Sequence, residues 1–100
     1  MELTNKQKAK LKSMAQHLDA IVKIGDKGVT ATVISSMNEA LKARELVKLS
    51  VAHSDRKVRK EMIIELAEST EAILVNIIGK TGLLFKVNPD NPIISETLLK

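Results

Sequence analysis

The chain contains no cysteine, no tryptophan and no tyrosine, and Phe85 is its single aromatic residue. Without cysteine there is neither a disulfide framework nor a thiolate to act as nucleophile or ligand. The shortage of aromatics argues against a reader that stacks bases on aromatic platforms, as RRM and OB folds do. Any contact with RNA would have to lean on backbone amides, lysines and shape. The two histidines, His17 and His53, have no cysteine or nearby carboxylate pair to complete a metal site or a triad. Each reads as a surface or helix-end histidine, and no catalytic set, metal or other cofactor is expected. The longest apolar run is broken at Asn76, far short of the ~20 residues that a membrane helix needs. MELTNKQKAKLK lacks the apolar segment of a secretory leader. A soluble, cytoplasmic protein is expected, and a monomer, because no large apolar surface is evident.

What is present is charge, unevenly placed. The net charge is +4 over 100 residues, a length that suits one domain spanning 1–100. Residues 1–60 hold 13 Lys/Arg against 6 Asp/Glu, whereas residues 61–100 hold 3 against 6. A basic segment on a small domain suits a polyanion, most often nucleic acid; a solubilising surface is the plain alternative.

The hydrophobic pattern predicts α-β-α-β-α-β-β. Thr4 can cap a helix over 4–18, with Leu11, Met14, Ala15 and Leu18 on one face. Lys6 and Lys10 form one stripe beside that face, and Lys8 and Lys12 another. AIVKI at 20–24 reads as a strand. Thr30 can cap a second helix over 30–43, and LVKLSVA at 46–52 reads as a strand with Lys48 and Ser50 on one face. Asp55 can cap a third helix over 56–70, packed through Val58, Met62, Ile63, Leu66 and Ala67. Glu61, Glu65 and Glu68 share another face of it, which reads as solvated. Strands over 72–78 and 83–88 complete the series, and the two prolines of NPDNPII end the regular structure. The alternation predicts one four-stranded mixed sheet with three helices, the last two strands an antiparallel hairpin.

Two glycine-flanked lysines stand out. Gly79-Lys80-Thr81 resembles the end of a phosphate-binding loop, but that loop needs a glycine at position 74, where this chain has leucine, and a helix afterwards, where LLFKV reads as a strand. Gly79 at the first central position of a type II′ turn accounts for the same residues, and Lys80 at the tip can still touch a phosphate. Gly25-Asp26-Lys27-Gly28 lies where a strand gives way to a helix. Helix starts present free N–H groups and partial positive charge, which suit a phosphate, and KH domains clamp nucleotide backbones with a G-x-x-G loop. Asp26 opposes that use, and a plain strand-to-helix turn remains the alternative.

These residues, taken in order, resemble the CRM domain (chloroplast RNA splicing and ribosome maturation), in particular its single-domain bacterial, YhbY-like members. The matching stretches are LTNKQKAKLK at 3–12, IGDKGVT at 24–30, ALKARELVKLSV at 40–51, Asp55-Arg56, and IGKTGLLFK at 78–86. The resemblance implies a fold similar to the C-terminal domain of translation initiation factor three, and a KH-like element at Gly25 and Gly28. It implies RNA-binding positions at Lys6, Lys8, Lys12, Lys48, Lys80 and Lys86, beside Lys27 of the glycine loop. It also implies a non-catalytic partner of ribosomal RNA or of precursors of the large ribosomal subunit. The chain departs from the family pattern with acid at Asp19 and Asp26, Arg44 for a frequent histidine, Phe85 for tyrosine, and Gly82 for a larger apolar residue. A protein-interaction module docking on a ribosomal protein or assembly factor is the alternative from a different class.

Overall fold

Local capping starts each long helix where the sequence offers an oxygen. In the computed structural model, which describes residues 2–99, the Thr4 hydroxyl accepts from the Gln7 amide at 3.1 Å while the Gln7 side chain accepts from the Thr4 amide at 2.9 Å. This reciprocal capping box opens α1, Asn5–Ala15. Thr30 accepts from the Val33 amide and opens α2, Ala31–Arg44. Asp55 accepts from the Lys57 and Val58 amides and opens α3, Arg56–Thr70. The C-terminus of α3 is closed by a Schellman arrangement: Glu71 is left-handed, at φ 57°, and the amide of Ala72 reaches back to the Ala67 carbonyl.

The strands β1 (Ala20–Ile24), β2 (Leu46–Val51), β3 (Ile73–Ile78) and β4 (Thr81–Phe85) form one mixed sheet in the order β1-β2-β4-β3. β1 and β2 are parallel, joined through α2, and β4 lies antiparallel between β2 and β3. α2 and α3 cover one face, with Ile24, Met37, Leu49, Ile63, Leu66 and Leu84 at the centre of that layer. α1 covers part of the other face, over Leu11, Ala15, Leu46, Val75, Leu83 and Phe85.

Several boundaries differ from the sequence expectation, among them the end of β4, which stops at Phe85 rather than at 88. α1 ends at Ala15, three residues early, because the chain tightens into a turn there; Leu18 still packs on the α1-side core. β4 begins at Thr81, so Gly82 is a strand residue and the hairpin loop is only Gly79-Lys80. Gly79 has φ +57° while Lys80 is not among the positive-φ residues, the signature of the type II′ turn. The tail does not end the regular structure either: Ser95–Leu98 form a short helical turn, α4. The cause is Glu45, which is fully buried with φ 63° at the end of α2. Its carboxylate accepts from the backbone amides of Asn88, Ile93, Ile94 and Ser95 and from the Ser95 hydroxyl, at 2.6–2.9 Å. One side chain thereby gathers the segment that two prolines would otherwise leave irregular.

Candidate nucleic-acid interface

The sheet topology brings three distant loops to one end. β1 and β2 run parallel and finish side by side, and the Ala52 amide donates to the Ile24 carbonyl at 2.9 Å. β4 starts at that same end, where the Val51 amide donates to the Lys80 carbonyl at 2.8 Å. The Gly25–Gly28 loop, the His53–Asp55 loop with the start of α3, and the Gly79-Lys80 tip are therefore neighbours. Arg59 ties two of them together: its guanidinium donates to the carbonyls of Gly79, His53 and Ser54. A Cβ on Gly28 would sit 3.7 Å from the Met62 Cε, so α3 also flanks the glycine loop.

This end is basic and open. Lys27, Lys80, Arg56, Lys57 and Lys60 are exposed, and α2 and α3 both begin there, so two positive helix ends add to their charge. The glycine loop itself is a closed turn. The Gly28 amide donates to the Gly25 carbonyl at 3.0 Å, the Thr30 amide donates to the Gly28 carbonyl, and Gly28 takes φ +74°. Those two amides are engaged within the chain, which leaves Lys27 and the α2 start as what the loop can offer an anion. Asp26 is exposed beside them. The Asp55 carboxylate is engaged in capping α3.

A second basic region lies on the α1 side of the sheet. Register places Lys48, Leu83 and Asn76 in one row across β2, β4 and β3, and Lys23, Ser50, Thr81 and Ile78 in the next. α1 leaves part of this face uncovered, as a groove of about 310 Å³ between its last turn and the strands. Lys12 and Lys48 line it. Lys8 stands one turn before Lys12, whereas Lys6 lies on the opposite flank of α1 with Lys10, against Thr97 and Leu98. Lys86 is at the far end of the molecule, where its ammonium donates to the Thr70 carbonyl at 2.9 Å and closes the C-terminus of α3.

The structure thus unites Gly25, Lys27, Gly28 and Lys80 at one end, and Lys12 and Lys48 across one groove. It leaves Lys6 and Lys86 apart from both. The sequence reading passed over Arg56, Lys57, Lys60 and Lys23. The first three, with Arg59, form a basic run immediately behind a strong N-cap, interrupted only by Val58. Lys23 alternates with the buried Val22 and Ile24, which is a signal of an exposed strand position.

The model of the CRS1/YhbY (CRM) domain matches residues 3–86. The chain belongs to the CRM domain family. Similar relatives include a Bacillus subtilis protein named probable RNA-binding protein YqeI, 38% identical over 89 residues, with 89% of this chain and 93% of that one covered. A Pseudomonas aeruginosa protein, also named a probable RNA-binding protein, is 34% identical, with 89% and 86% covered. The solution structure of a Staphylococcus aureus protein, described as a candidate RNA-binding protein, is similar at TM-score 0.78 and 33% identity, covering 90% of this chain and 94% of that one. The α/β fold of this CRM domain, with its four-stranded mixed sheet, agrees with that neighbour. The region matched to the family ends at Lys86, so α4 and the segment that Glu45 gathers lie beyond it.

Proposed function

We propose that this CRM domain is a non-catalytic, cytoplasmic RNA-binding protein. In this reading residues 1–100 act as one domain and as a monomer, and the ligand is ribosomal RNA or a precursor of the large ribosomal subunit. The observation that carries the reading is the convergence of Lys27, Lys80 and the Arg56, Lys57, Lys60 run at one end of the sheet, beside the starts of α2 and α3. Such an array suits a phosphate backbone. The names of the relatives support RNA as the polymer, and the resemblance to YhbY-like members implies the ribosomal ligand. Lys8, Lys12 and Lys48 extend the contact along the α1 side, and Lys6 and Lys86 stand outside it.

The test is binding to a structured ribosomal RNA fragment and to matched duplex DNA at low and near-physiological salt. RNA is preferred at both if 2′-hydroxyls or A-form shape are recognised. Lys27→Ala and Lys57→Ala each lower affinity across sequences and reduce the slope of log affinity against log salt by about one unit. Equal RNA and DNA binding that collapses with salt would reduce the reading to generic charge attraction. Binding to assembly intermediates that survives RNase and high salt would favour the protein-docking alternative.

A further inference from the structure

Asn76 is a polar residue inside β3, placed just after the register shift between Leu74 and Asn76. It interrupts the apolar run of β3, at a position half-buried and flanked by Val75 and Ile77. A bulge at such a shift re-aims the side chains beside it. Register sends Asn76 to the α1 face, in the same row as Leu83 and Lys48, and there it lines the groove already described. The other polar walls are Lys12 and Gln16 from the end of α1, Lys48 from β2 and Thr81 from β4, with Ile78 as an apolar lip. Ile78 is 68% exposed, more than any other large apolar residue among those described. Among the described residues, no carboxylate lines this groove.

The combination is specific in kind. The two ammonium groups at the walls suit phosphate oxygens. An amide carries an adjacent donor and acceptor, and asparagine and glutamine use that pair on the hydrogen-bonding edges of bases. The volume of about 310 Å³ falls at the lower limit of the roughly 300–1,000 Å³ typical of small-ligand sites, too confined for a duplex but open to one unstacked residue. Phe85 is fully buried and cannot stack on a base, so the aliphatic surface of Ile78 is the available platform. The geometry points to a nucleotide subsite: one unpaired nucleotide of the bound RNA enters this groove, its phosphate held by Lys12 and Lys48 and its base edge read by Asn76 and Gln16. This rests on the RNA-binding reading above and adds to it the requirement for a single-stranded residue and a source of base preference.

The experiment compares wild type, Asn76→Leu and Gln16→Ala. Leucine suits an apolar strand and Gln16 is exposed, so both variants should keep the fold, which melting temperature verifies. Each protein is titrated with short single-stranded oligonucleotides of each base and with an RNA duplex, across a salt series. Wild type should prefer single strands and discriminate between bases. In Asn76→Leu the base discrimination should fall about tenfold, with the salt slope unchanged because no phosphate contact is lost. Gln16→Ala should fall in the same direction. Undiminished base preference in both variants, or a wild type that binds duplex and single strands alike, would overturn the subsite while leaving RNA binding intact. A wild type that binds no RNA in any form would overturn the subsite together with the function proposed above.

Discussion

At the scale of single residues, Glu45 is the strongest determinant of how the chain is finished. A carboxylate in its buried position would, from burial alone, titrate above the ordinary range. The Ser95 hydroxyl and the amides of Ser95, Asn88 and Ile93 outweigh that effect and hold it at about 2, below its ordinary 4.5. The folded pKa is the depressed one, so the stabilisation is fully present above about 4.5 and is lost as pH falls towards 2. At 1.4 kcal/mol per pKa unit, this is on the order of 3 kcal/mol. Glu45→Gln, whose amide would set N–H against N–H, should be destabilised by about 2–4 kcal/mol near neutral pH. The gap between wild type and variant should shrink as pH drops through that window. Chemical denaturation from pH 7 to pH 2 checks both statements, and a gap independent of pH would contradict them. The sequence alone gave no sign of this role. Its five donors come from residues more than forty positions away, beyond the reach of any local pattern.

At the scale of elements, the close packing of α3 on β4 depends on Gly82. A Cβ there would lie 2.9 Å from the Ile63 Cγ2 and 3.2 Å from its Cδ1. The missing Cβ of Gly82 and the bulk of Ile63 therefore form a matched pair. Gly82→Ala should cost about 1–3 kcal/mol by overpacking. Combined with Ile63→Ala it should cost less than the sum of the two single changes, which a double-mutant cycle by denaturant titration would measure; strict additivity would contradict direct packing. This bears on what the sequence could disclose. The helices and strands were legible because capping residues and apolar periodicity are local, and α3 matches its expected 56–70 span in full. Gly82 was misread as a loop glycine because a glycine beside a turn looks the same whether it serves the turn or a helix crossing above it. The order β1-β2-β4-β3, which decides which loops become neighbours, is a long-range property that the alternation of elements left open.

At the scale of the whole molecule, that strand order divides the protein into two ends of different character. At one end the chain offers two helix starts, a hairpin tip and exposed Lys27, Arg56, Lys57, Lys60 and Lys80. At the other, Glu45 and Lys86 are occupied in holding the C-terminal segment and the end of α3. The basic excess of the first sixty residues suggested a polyanion partner. It could not show that α3 contributes its first turns to the same surface as the glycine loop, because Lys27 and Arg56 are joined only by the parallel pairing of β1 and β2. The most direct measurement is a titration of isotope-labelled protein with a ribosomal RNA fragment, followed through backbone amide resonances. The account predicts that the largest shifts fall in residues 25–30, 53–60 and 79–81, with a second set along Lys12, Lys48 and Asn76. Shifts concentrated instead at Glu45, Lys86 and Asn88–Ser95 would contradict it.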